Sequence, residues 1–235
     1  MKNFLLIFYT FFIYSIIGWI IESIYVSIKE KKFVDRGFLI GPYCPIYGLG
    51  ALGMILYLEQ YKNNIITVFF LSVIICSILE YITSYIMEKI FNARWWDYSK
   101  ENFNLNGRIC GKNSILFGIG GVIVIYIAHP FIKNILLSIN PKILLIISII
   151  SLLIFLTDTI ISFNIVNKLK NTITSIEPKK DTTQEFSKLI KETLIKRNKI
   201  LQKRLFSAFP NIDLKSLIPK RKDIKDFLKK ETKND

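Results

Sequence analysis

Apolar positions run along the chain in five long blocks separated by short polar segments: Phe4 to Ile28, Ile40 to Leu58, Ile65 to Met87, Ser114 to about Ala128, and Ile143 to Val166. Blocks of this length approach the ~20 residues an α-helix needs to cross a ~30 Å hydrocarbon slab. The pattern predicts about five transmembrane helices. His129-Pro130 interrupts the fourth block, so that span either ends at Ala128 or continues, kinked at Pro130, to Leu137.

Charge divides the chain after the fifth block. Residues 1–167 hold 13 Lys/Arg and 9 Asp/Glu, whereas residues 168–235 hold 19 and 9. The expected fold is an all-α integral membrane domain over 1–167 followed by a basic helical cytoplasmic tail over 168–235. A soluble enzyme with one large core is excluded. Three scattered cysteines, Cys44, Cys76 and Cys110, make no disulfide framework. Segments 29–39 and 88–113 and the tail carry 28 Lys/Arg against 4 on the opposite side. That bias predicts an outside amino terminus and a cytoplasmic tail. A cleaved signal peptide fits poorly, because the first block is too long, lacks a small-residue cleavage site and contains Glu22.

Shifting the sequence by 58 residues lays Glu22, Glu30, Lys31, Phe33 and Arg36 on Glu80, Glu88, Lys89, Phe91 and Arg94. Over residues 11–36, 12 of 26 positions are then identical, and seven of those are not isoleucine. Each copy precedes a glycine-bearing block, with Gly48, Gly50 and Gly53 in the second and Gly118, Gly120 and Gly121 in the fourth. The expectation is two parallel helix-loop-helix repeats, about 4–58 and about 65–128, with the fifth span, about 143–166, outside them. Glycines at such spacing let helix backbones approach closely.

Three acids interrupt the apolar blocks: Glu22, Glu80 and Asp158. Counted from the cytoplasmic ends of their blocks, they lie roughly 9 to 12 Å deep at 1.5 Å per residue. Each shares a helical stripe with small polar residues, such as Ser77, Glu80 and Ser84. A carboxylate at such depth needs a partner, a proton or water. The three either line a substrate or ion cavity or pair with loop arginines and tyrosines to lock the helices. The loops offer Arg36, Arg94, Trp95, Trp96, Asp97 and Arg108 at the membrane boundary. Two readings stay open for these: an interfacial anchor, or a gate and head-group contact in which the arginines meet Glu22 and Glu80 from below.

Other chemistry is not expected. Gly107-Arg108-Ile109-Cys110-Gly111-Lys112-Asn113 lacks the glycine spacing, the following Ser/Thr and the strand of a phosphate loop. A lone His129 builds neither a metal site nor a Ser-His-Asp triad with the inner acids. We therefore expect no catalytic residue, no metal and no cofactor. In the tail, Thr182-x-x-Glu185 resembles a capping box and opens an amphipathic helix over about 182–206. That helix would lie on the anionic inner leaflet or dock on a cytoplasmic partner. Nucleic acid is not an expected partner.

Gly18-Trp19 with Glu22, Arg36-Gly37-Phe38 followed by Gly41-Pro42 and Pro45-Ile46-Tyr47-Gly48, Glu80-Tyr81, and Trp96-Asp97-Tyr98 with Asn106-Gly107-Arg108 form a set of motifs over about residues 1–165. Together they resemble the bacterial membrane family labelled putative ABC-transporter type IV. The resemblance implies a polytopic, permease-like plasma-membrane protein. Any ATPase would be a separate cytoplasmic subunit, since the chain carries no ATPase domain. Membrane lipids and a homo-oligomer are the other expected partners. A non-transporting sensor or scaffold, binding lipid or a partner through its loops and tail, is the alternative.

Overall fold

A computed structural model describes residues 2–91 and 94–174 together with Leu201, Arg204, Leu205, Ala208 and Phe209. The amphipathic helix expected over about 182–206 falls, apart from three of these tail residues, outside the described part. The long helices are α1 (Lys2–Glu30), α2 (Pro45–Leu58), α3 (Ile65–Phe91), α4 (Gly111–Ser138) and α5 (Pro141–Thr174), joined by loops. Local chemistry sets several ends. Asn64 caps α3 by accepting the Ile66 and Thr67 N–H groups at 3.1 Å each. Asn140 accepts the Lys142 N–H at 3.0 Å ahead of α5, whose first residue is Pro141. Beyond the end of α1, Lys31 takes a left-handed φ of 51°.

Four of these helices, α1, α3, α4 and α5, are long and apolar enough to cross a bilayer. This is a multi-pass membrane protein. Its polarity is inverted relative to a soluble domain: Ile21, Ile24, Ile74, Ile78, Ile146 and Ile149 are exposed, while Ser15, Ser72, Ser84, Ser148 and Ser162 are buried.

Two blocks depart from the sequence reading. The expected span Ile40 to Leu58 is not one helix. Its first five residues belong to a loop, and α2 has 14 residues, about 21 Å, which is short of a full crossing. The apolar block runs on because the loop residues are uncharged, and two of them, Tyr43 and Cys44, are buried. The fourth block resolves to its longer form. Helix α4 widens into a π turn over Val124–Ala128, directly before His129-Pro130, and continues to Ser138. The wide turn accommodates a proline that brings no N–H to the carbonyl four residues back.

The most extensive packing is α1 on α2 and α3 on α4, and α2 against α3 joins the two hairpins. Small residues make both hairpins close. A Cβ at Gly18 would fall on the Tyr47 ring, and one at Gly121 would fall on the Ser72 side chain. Leu5, Met54, Leu58, Val68, Ile125, Ile132, Leu136 and Leu144 form the apolar core. Helix α5 touches α1 and α3 more sparsely.

Candidate functional site

The first loop turns back along α1 instead of leaving it. Val34 donates its N–H to Ser27 Oγ at 2.9 Å, Arg36 to Ser23 Oγ at 3.2 Å, and Cys44 to the Ser15 carbonyl at 2.8 Å. Trp19 Nε1 donates to Asp35 Oδ1 at 3.0 Å. These four anchors recede along one face of α1 at helical spacing, and from Ser27 to Ser15 the helix rises about 18 Å. Helix α2 therefore begins opposite the middle of α1. Irregular backbone at such depth survives only where protein satisfies its polar groups.

Asp158 on α5 supplies that satisfaction. Its Oδ1 accepts the Ile40 N–H at 3.0 Å and the Ser162 hydroxyl at 2.9 Å, and its Oδ2 accepts the Gly41 N–H at 2.7 Å and the Tyr43 hydroxyl at 2.6 Å. Four donors from the chain itself engage this buried carboxylate. Asp158 thus holds the loop, and the fold does not bring it into one group with the other two acids.

Glu22 and Glu80 lie within electrostatic reach of each other, and each holds a tyrosine of its own. Glu22 Oε1 accepts the Tyr47 hydroxyl at 2.5 Å, and its Oε2 pairs with Arg36 Nε at 3.3 Å. Glu80, 7% exposed, accepts the Tyr98 hydroxyl on Oε1 at 3.3 Å, while its Oε2 is buried with no hydrogen-bond partner. Glu22 bears electrostatically on Glu80, and the Asn113 side chain is a second hydrogen-bonding neighbour. Tyr98 belongs to the second loop. Burial, then the Glu80 and Glu22 carboxylates, hold its hydroxyl far above the ordinary phenol value, so it serves as a donor.

The loop arginines divide unevenly. Arg36 meets Glu22 as expected from its place, but Arg94 and Arg108 converge on Glu88, with Nε of Arg94 at 3.2 Å and Nη2 of Arg108 at 2.8 Å. Arg108 also donates to Ser84 Oγ at 3.2 Å and lies over the Tyr81 and Tyr85 rings. Neither reaches Glu80: Glu88 lies two turns nearer the loop and takes both. Asp97 accepts the Ser99 N–H at 3.0 Å and pairs with Arg94 at 3.5 Å, so it braces the loop. Trp96 Nε1 donates to the Arg108 carbonyl at 3.1 Å. Trp95 corrects the head-group expectation. It is 3% exposed, enclosed by Phe38, Phe91 and Phe209, and so is turned into the protein.

Phe209 belongs to the tail, and its approach was not legible in the sequence. Arg204 Nε pairs with Asp35 Oδ2 at 2.6 Å, and its Nη2 donates to the Leu39 carbonyl at 2.8 Å. Arg36 donates through Nη1 to the Ala208 carbonyl and sits 4.6 Å from the centre of the Phe209 ring. Leu205, Ala208 and Phe209 are buried there. Tyr47 and Tyr98 were visible in the sequence only as parts of loop motifs, because nothing in spacing along the chain tells which acid a tyrosine reaches.

No cluster of metal-ligating side chains occurs among the described residues. No curated protein and no solved structure matches the chain. The sequence model of the family described as Putative ABC-transporter type IV matches residues 9–163 of 235, a stretch that contains both loops and all three intramembrane acids, and the chain belongs to that family.

Proposed function

We propose that the chain is the membrane-embedded, permease-like component of a bacterial plasma-membrane transport system, with the Glu22–Glu80 pair as its polar station near the cytoplasmic face. The family is the first support for this reading. The observation that carries it is the buried Glu80 Oε2 without a partner, on which a second carboxylate, Glu22, bears electrostatically. A purely structural acid would be saturated, as Asp158 is. In this reading Arg36 guards the station from the loop side and the amino terminus lies outside. A separate ATPase docks on segments 29–39 and 88–113, and lipids or further copies of the chain complete the assembly.

The test is purification of the tagged chain from its own membranes in mild detergent, with mass spectrometry of what accompanies it. A stoichiometric ATPase subunit, retained by a well-expressed but transport-dead Glu80→Gln variant, is the expected result. Recovery of only lipid or self-associated chain would sink the reading in favour of a sensor or scaffold. The burial of tail residues against Asp35 and Trp95 is the observation that favours that second reading, since it makes the tail part of the loop surface.

A further inference from the structure

The three intramembrane acids differ in how many oxygens they leave free. Asp158 leaves none, with two donors on each oxygen. Glu22 has Tyr47 on one oxygen and Arg36 on the other. Glu80 has the Tyr98 hydroxyl at 3.3 Å and the Asn113 side chain as neighbours, and its Oε2 is buried with no hydrogen-bond partner. The titratable and charged groups that bear on it are Glu22 with its partner Arg36, Tyr98 from the second loop and Cys76 on its own helix, and Tyr47 and Cys110 act on Tyr98 in turn. The cations are engaged elsewhere: Arg36 with Glu22, and Arg94 and Arg108 with Glu88.

A buried carboxylate oxygen with no donor and no paired cation is left without the partner that buried polar atoms require, unless a ligand supplies one. The number of free oxygens chooses among ligands. A hard metal ion collects about six oxygens, and this site offers one. A proton needs only one.

We propose that Glu80 is a proton-binding site inside the membrane domain, taking up and releasing a proton at Oε2 while the Glu22–Arg36 pair stays fixed beside it. The inference rests on Glu80 as the unsaturated member of the acid pair and names the ligand of that station, but it does not require an ATPase partner.

The probe is dicyclohexylcarbodiimide, which attacks protonated carboxyl groups in apolar surroundings, applied to the full chain in its native membranes with adducts located by mass spectrometry. The expected adduct is on Glu80. Its formation should slow by about tenfold per pH unit once the pH exceeds that at which the proton leaves, be indifferent to added sodium, and vanish in Glu80→Gln. Four results would overturn the proposal: no adduct on Glu80, an adduct on Glu22 or Asp158 instead, labelling independent of pH, or protection by sodium at fixed pH. The two readings fail separately. Glu80 labelling in a chain that retains no ATPase removes the transport reading alone, whereas an ATPase complex without labelling removes the proton site alone.

Discussion

Gly41 donates its backbone N–H to Asp158 Oδ2 at 2.7 Å, although the two residues are 117 positions apart. With Ile40, Tyr43 and Ser162, that bond fastens the first loop to α5. Asp158→Ala strips all four donors of their acceptor at once. Each orphaned buried donor costs about 1–3 kcal/mol, so the loss should be about 3 kcal/mol or more. Asp158→Asn keeps one acceptor oxygen and should lose less. Thermal unfolding in detergent would rank wild type above Asn and Asn above Ala; equal stability of all three would remove the anchoring role.

Neighbouring glycines on α4 give an internal control. A Cβ at Gly121 would land on Ser72, whereas one at Gly120 meets nothing within 4 Å. Gly121→Ala must push α3 from α4 and should cost about 1–3 kcal/mol, as overpacking generally does. Gly120→Ala should be neutral or gain up to about 1 kcal/mol from helix propensity. The pair can be compared by the temperature at which the detergent-solubilised protein aggregates. A Gly121→Ala protein as stable as Gly120→Ala would mean that the two hairpin helices are not in close contact.

Membrane helices were legible where the polar pattern was local. The blocks at Phe4 to Ile28, Ile65 to Met87 and Ile143 to Val166 become α1, α3 and α5, because a long apolar run has few alternatives to a helix in lipid. The block from Ile40 reads as a span for the same reason: an uncharged loop and a helix have the same apolar composition, and the Asp158 that satisfies the Ile40 and Gly41 N–H groups lies far along the chain. Partners across distance were the illegible part. Arg94 looks equivalent to Arg36 under the 58-residue shift, yet it meets Glu88 instead of the intramembrane acid, since Glu88 is nearer along α3.

Acid should loosen the second loop. Burial pushes the Asp97 carboxyl up, but the Ser99 hydrogen bonds and the Arg94 guanidinium outweigh it and hold the group below the ordinary carboxyl value. A lowered folded value means that the stabilisation is fully present above the unfolded value of about 3.9 and is lost as pH falls through the folded one. The fluorescence of Trp96, which is held by the Arg108 carbonyl in the same loop, should therefore change on acidification below about pH 4. Asp97→Asn should lose that dependence while keeping the response of other regions. The change is small because Asp97 is largely exposed. An identical acid limb in both proteins would assign it to another carboxylate.

One guanidinium joins the tail to the intramembrane acids: Arg36 pairs with Glu22 and also donates to the Ala208 carbonyl. Docking of the tail should therefore be readable at Arg204, whose side chain is tied to Asp35 and whose neighbour Leu205 is 3% exposed. Trypsin must draw the bond after Arg204 into its active site, so docking slows that cut in proportion to the fraction of time the segment is free. Phe209→Ala removes the ring packed on Trp95 and Arg36. A loss of about 1.4 kcal/mol of docking energy would speed cleavage there about tenfold. Asp35→Asn should act in the same direction through the ion pair, and the two changes should not add fully, because either one alone undocks the same segment. Cleavage after Arg204 that is fast in the unaltered chain and indifferent to both changes would show that the tail does not stay on the loops, and Arg36 would then answer to Glu22 alone.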